Sequence, residues 1–127
     1  MKNHRYIQLA GILGALAVGI GAFGAHGLQP ILESHARIET FETAVKYHFY
    51  HAIAILAIAV WLNIQPERQY LKRVIWSFFL GIIIFSGSLY ILSLTGISWL
   101  GAITPIGGVA FIFGWLSLIW FTKGENS

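Results

Sequence analysis

Long apolar stretches separated by short polar ones dominate the pattern along the chain. A helix needs roughly 20 apolar residues to cross about 30 Å of hydrocarbon, and four stretches reach that length. The first covers about residues 6–25 without a charged side chain. The second covers about 44–63, with Lys46, His48 and His51 near its start. The third and fourth cover about 74–94 and 99–121, both uncharged. The second is the atypical span. Its wholly apolar part, 52–62, is short, which places its first turns in the headgroup zone or inside a bundle. The pattern predicts an all-α membrane protein: one domain over 1–127, folded as an antiparallel bundle of four transmembrane helices.

Proline and glycine refine these boundaries. Pro30 and Pro66 each read as helix openers, where a missing N–H costs nothing. Thr104-Pro105 reads as an N-cap followed by proline in the first turn. The fourth helix proper then starts there, with 99–103 as its interfacial approach. The segment 30–43 (PILESHARIETFET) mixes apolar and charged residues. It is either a short amphipathic helix on the membrane surface, the preferred reading, or an aqueous extension of the second span. Lys2 and Arg5 ahead of the first span resemble a signal peptide, but the apolar run is long for one. A retained helix is expected.

Composition strengthens the membrane reading. Of 127 residues, 57% are hydrophobic and 10% charged, where a soluble domain carries about 25% charged residues. The net charge of +3 does not point to nucleic acid, because the basic residues cluster at span ends instead of on one face. Lys2 and Arg5 at the N-terminus, Arg68, Lys72 and Arg73 after the second span and Lys123 at the end place both termini in the cytoplasm by the positive-inside rule. With no cysteine and no aspartate, thiolate chemistry is absent and acid–base catalysis has little material. Phosphate loops and hydrolytic triads are also missing. No enzyme activity, cofactor or metal is therefore expected.

Lipid tails are as apolar as leucine, so membrane helices associate by close packing and interhelical hydrogen bonds. Small residues mark the expected contact faces: Gly11, Ala15, Gly19 and Ala22 on the first span, Gly87 on the third, Gly107 and Gly108 on the fourth. They serve either intramolecular packing, the preferred reading, or a homo-oligomer contact.

Ionisable groups gather at one end of the predicted bundle, and such groups in a membrane are a functional-site hypothesis. The candidate polar site comprises His26, Glu42, Tyr47, His48 and His51, with Ser86, Ser88 and Tyr90 on the third span. At 100° per residue, Tyr47, His48 and His51 share one sector of the second helix. Imidazoles three residues apart, with a third from the first span, suit a metal, an axial haem position or a proton relay. The plainer alternative is that they hydrogen-bond across helices and fix the packing. The serines and Thr104 read chiefly as packing residues. Tyr90 should direct its hydroxyl to a partner in the bundle, while Glu42 and Lys46, four residues apart, suit a surface pair.

Four blocks carry a family resemblance: GAFGAHGL at 21–28, TAVKYHFYHAIAI at 43–55, GIIIFSGSLYILSLTG at 81–96 and TPIGGVAFIFGW at 104–115. Together they resemble the small bacterial inner-membrane proteins of the YgdD/YwdK group, which has mitochondrial relatives. The resemblance implies a multi-pass protein of the bacterial plasma membrane and supplies no reaction. It also implies a polar residue, commonly glutamine, at the position of His48, so a two-histidine ligand pair is not a family feature. The leading expectation is a non-enzymatic protein that acts by association, as a homo-oligomer or as an accessory subunit of a membrane complex. The alternative is a carrier or channel for a proton, ion or small hydrophobic molecule, which requires a cavity reaching His26 and His51.

Overall fold

The computed structural model describes residues 4–123; Lys2, in the N-terminal basic cluster, lies outside them. All elements among these residues are helical. They are α1 (Arg5–Ala25), α2 (Gln29–Ser34), α3 (Ile38–Ile64), α4 (Tyr70–Gly81), a π-helical turn (Ile82–Ser86), α5 (Gly87–Thr95), a 3₁₀ turn (Ser98–Ala102) and α6 (Thr104–Thr122). Helix α4, the π turn and α5 form one continuous span, and the 3₁₀ turn leads into α6, giving four helices long and apolar enough to cross a membrane.

The second span is longer than its hydropathy implies. At 27 residues and 1.5 Å per residue it is about 40 Å long, more than the roughly 30 Å of hydrocarbon. Its first turns therefore project beyond the apolar slab, and Glu39, Glu42 and Lys46 lie on this part of the helix. The segment 30–43 thus divides. Its first part is the separate helix α2, and from Ile38 it is the extension of the second span. Proline behaves differently at its three positions. Pro30 and Pro105 sit in the first turns of α2 and α6. Pro66 lies instead in the turn between α3 and α4, and α4 begins only at Tyr70. Pro66 has no N–H to continue the ladder and forces Gln65 out of the helical region, at φ −127° and ψ 72°, which stops α3 there; the Gln65 amide oxygen accepts a hydrogen bond from Trp61 Nε1 at 2.7 Å.

Helix α1 packs principally on α3, α3 on the third span, and the third span on α6. The core is built from Ile55, Leu71, Val74, Ile75 and Phe78, all fully buried. Glycine sets the closest approach. A Cβ at Gly107 would overlap the Phe85 main chain, and one at Gly81 or Gly114 would overlap the rings of Phe111 and Phe78. Gly96, at φ 74°, closes α5 in the left-handed conformation, and the His35 ring lies over it. The corner between α2 and α3 is thereby seated on the end of the third span.

The small residues of α1 depart from expectation. Its buried face is Ala10, Leu13, Ala17 and Gly24, whereas Gly11, Ala15, Gly19 and Ala22 are exposed. Nothing lies within 4 Å of a Cβ built at Gly11, Gly19 or Gly87. Gly107 and Gly108 do meet the third span at Phe85. Leu13 and Ala17 hold α1 on α3 with a modest side chain and a methyl, so the row beside them is left facing outward.

Gly107→Val should therefore force α6 away from the π turn. A loss of about 2 kcal/mol, typical of overpacking in a well-packed interior, is expected in denaturing-detergent unfolding of the purified protein, whereas Gly11→Val should leave the unfolding midpoint nearly unchanged.

Candidate functional site

The polar residues resolve into three places instead of one. His51 is at the centre of the bundle, 5% exposed. Its Nδ1–H donates to the Tyr47 carbonyl at 2.8 Å, and its Nε2 accepts from Trp115 Nε1–H at 3.0 Å. An indole nitrogen can only donate, so Nε2 must offer its lone pair and the ring is the neutral tautomer protonated at Nδ1. Phe111 stacks on the imidazole with centroids 3.6 Å apart and planes 13° apart. Phe78 closes the edge at 5.2 Å. Both nitrogens are thus used and one ring face is covered.

His48, one turn earlier, faces the third span and α1. Its Nδ1 lies 2.7 Å from the Tyr90 hydroxyl, as expected for a tyrosine whose hydroxyl needs a partner within the bundle. The backbone of Leu13 on α1 is a neighbouring polar group, and Nε2 itself closes no hydrogen bond of normal geometry. His48 therefore lies where α1, α3 and α5 meet. Ser86 Oγ–H donates to the Ala44 carbonyl at 2.8 Å, and Ser88 and Thr104 share a hydrogen bond of 2.6 Å. All three hydroxyls are buried and join spans. Thr104 is the first residue of α6 and does not act as its N-cap; its hydroxyl is turned across to Ser88.

His26 does not join them. It follows the last residue of α1, is exposed, and stands apart from the α3 histidines. Glu42 is also exposed and lines a different cavity, with Lys46. Tyr47, 40% exposed, packs against Phe85 with ring centroids 4.8 Å apart and planes tilted by 38° and contributes its carbonyl, not its hydroxyl, to His51. Among the described residues no three His or Glu side chains converge as metal ligands. Sequence reasoning missed Trp115 and Phe111, the partners of His51. The available signal was a tryptophan in the middle of the fourth span, away from the interfacial position where the others sit.

The cavities lie elsewhere. One of about 490 Å³ opens between the end of α1, α2 and the projecting turns of α3, with Gln29, Glu42 and Lys46 among its walls. Others of about 260 and 790 Å³ follow the α1–α3 seam. Neither His48 nor His51 lines any of them.

Removing one hydrogen-bond partner should expose the structural role of these imidazoles. Trp115→Phe and Tyr90→Phe each leave a buried ring nitrogen without its partner, and each should cost about 1 kcal/mol, the usual size of such bonds between membrane helices. His48→Gln, whose amide can still reach the Tyr90 hydroxyl, should cost less than His48→Leu in the same detergent unfolding titration.

Residues 20–108 match a family model described as a protein of unknown function (DUF423). The UPF0382 membrane protein YwdK of Bacillus subtilis is 46% identical over 114 residues, covering 90% of this chain and 92% of the relative. A UPF0382 membrane protein of Haemophilus influenzae is 41% identical over 118 residues, covering 93% and 92%, and SAUSA300_0565 of Staphylococcus aureus is 49% identical over 114 residues, covering 90% and 91%. No solved structure matches the chain. The matched region holds the α1 end, both α3 histidines, the π turn, Tyr90 and Gly107, and with near-full-length relatives among the membrane proteins it makes this chain a member of the DUF423 family of small membrane proteins.

Proposed function

We propose that this protein works without catalysis, by association within the bacterial plasma membrane, as a homo-oligomer or as an accessory subunit of a larger membrane complex. The observation that carries this reading is the outward row Gly11, Ala15, Gly19 and Ala22 on α1. Small residues spaced by three or four let another helix approach closely in lipid, and on this helix they are not used inside the bundle. α1 also packs principally on one neighbour, so a second helix can reach it without displacing the core. The basic residues Arg5, Arg68, Lys72, Arg73 and Lys123 lie at one end of the spans, which supports cytoplasmic termini.

Conduction through the polar cluster has less support. A carrier using His26 and His51 needs a path between them, and His51 is enclosed by Tyr47, Phe78, Phe111 and Trp115. Its two nitrogens are committed to opposite hydrogen-bond roles, so a proton cannot pass through without breaking both.

Purification from native membranes in mild detergent should give a species larger than the monomer or a stoichiometric companion. Ala15→Ile, which fills the row without touching the core, should reduce that assembly about tenfold while leaving helicity unchanged. Recovery of the wild type as a bare monomer would overturn the reading.

A further inference from the structure

We propose that the furrow between α1 and α3, at its α2 end, binds one phospholipid whose headgroup carries both a phosphate and a primary amine. The head of the site holds none of the residues of the association row, whereas the apolar trough that continues it is lined by Gly11, Ala15 and Gly19 of that row as well as by Gly14. At 100° per residue, Gly14, Val18, Gly21 and Ala25 form one line along α1, roughly a quarter turn from Gly11, Ala15 and Ala22. That line borders the seam with α3.

The head of the site is the cavity of about 490 Å³, where Gln29 from α2 and Glu42 and Lys46 from α3 meet apolar walls that include Gly24 and Phe41. Gly24 is essential to its shape, since a Cβ there would overlap the Phe41 ring. The cavity lies where α1 has ended and α3 continues, at the depth of the headgroups. Lys46 is shared with the next cavity down, lined by Ala17, Val18, Gly21, Val45, Phe49 and Tyr50. Val18 and Phe49 are shared in turn with the apolar trough over Gly14 and Leu56. One continuous furrow therefore has a charged head and an apolar track. One leaflet is about 15 Å deep, half of the hydrocarbon thickness, which is about ten residues of helix. Measured from Gly24, that reaches Gly14, where nothing lies within 4 Å of a built Cβ.

The charges select the headgroup. A lysine ammonium is a point-charge partner for phosphate, and a carboxylate one turn away suits a primary ammonium. The neighbouring rim, with Glu33, Arg37 and Glu39, adds two carboxylates and one cation. A purely anionic headgroup would face this acidic surplus, whereas a zwitterionic one meets both signs.

Native mass spectrometry of the full chain, supplied with either phosphatidylethanolamine or phosphatidylglycerol, tests the site. The expected result is one ethanolamine lipid retained per chain in preference to the glycerol lipid. Lys46→Gln should lower retention about tenfold, the order of one charge-assisted contact. Glu42→Gln should remove the preference between headgroups, and Gly14→Leu should reduce retention of either lipid by filling the track. Helicity should stay as in the wild type in all three variants and, if the chain associates, oligomeric state should stay so in Lys46→Gln and Glu42→Gln, which separates this outcome from that of Ala15→Ile. Equal retention of both lipids by the wild type, preference for the glycerol lipid, or indifference to Lys46→Gln would each overturn the proposal.

Discussion

A buried imidazole in hydrocarbon has no water to turn to, so every polar atom of His51 must be answered by protein. The arrangement of the second and fourth spans follows from that requirement. Tyr47 supplies an acceptor from the preceding turn of the same helix, which costs nothing in assembly. The donor has to come from elsewhere, and it comes from Trp115. That one hydrogen bond, together with the stacking of Phe111, fixes both the height and the rotation of α6 relative to α3. Apolar side chains alone would allow several registers, because lipid competes with them on nearly equal terms.

Around this contact the glycines of the third and fourth spans do the spacing. Gly81, Gly107 and Gly114 accept Phe111, the Phe85 main chain and Phe78 in places where any side chain would collide. Aromatic bulk on one helix is thus matched to absent bulk on the other. The hydroxyls of Ser86, Ser88 and Thr104 complete the seams by reaching a carbonyl or one another. The polar inventory of the interior is mostly spent on holding spans together.

The spans were legible because hydropathy directly reflects the cost of putting polar atoms in lipid. The first, third and fourth helices fall within a few residues of the expected limits. The second exceeds them because Glu39, Glu42 and Lys46 depress its hydropathy without disfavouring helix, so charge was read as a boundary when it marks emergence from the membrane. Pro66 misled for a local reason: proline suits the turn after a helix as well as the first turn of the next. The Tyr90 partnership was legible in kind, since a hydroxyl in a span needs a mate, but not in identity. Which face of α1 is buried was not legible. Its small residues wrap most of the helix, and the choice is made by Leu13 and by the shape of α3. The separation of His26 from His51 was illegible for a similar reason, because helical phase describes one helix and says nothing of how the next one is rotated against it.

The π turn at 82–86 gives the third span a property that a regular helix would lack. A π turn accommodates one residue more than the α-helical repeat, which advances the rest of the helix by about 100°. Below it, Phe78 points at Trp115; above it, Ser86, Ser88 and Tyr90 address Ala44, Thr104 and His48. The two halves are in different phase, like two gear trains coupled through an offset tooth. Loss of a single residue there would leave the span long enough to cross the membrane while turning its upper half to the wrong neighbours, so this short stretch constrains the length of the chain more tightly than the thickness of the bilayer does.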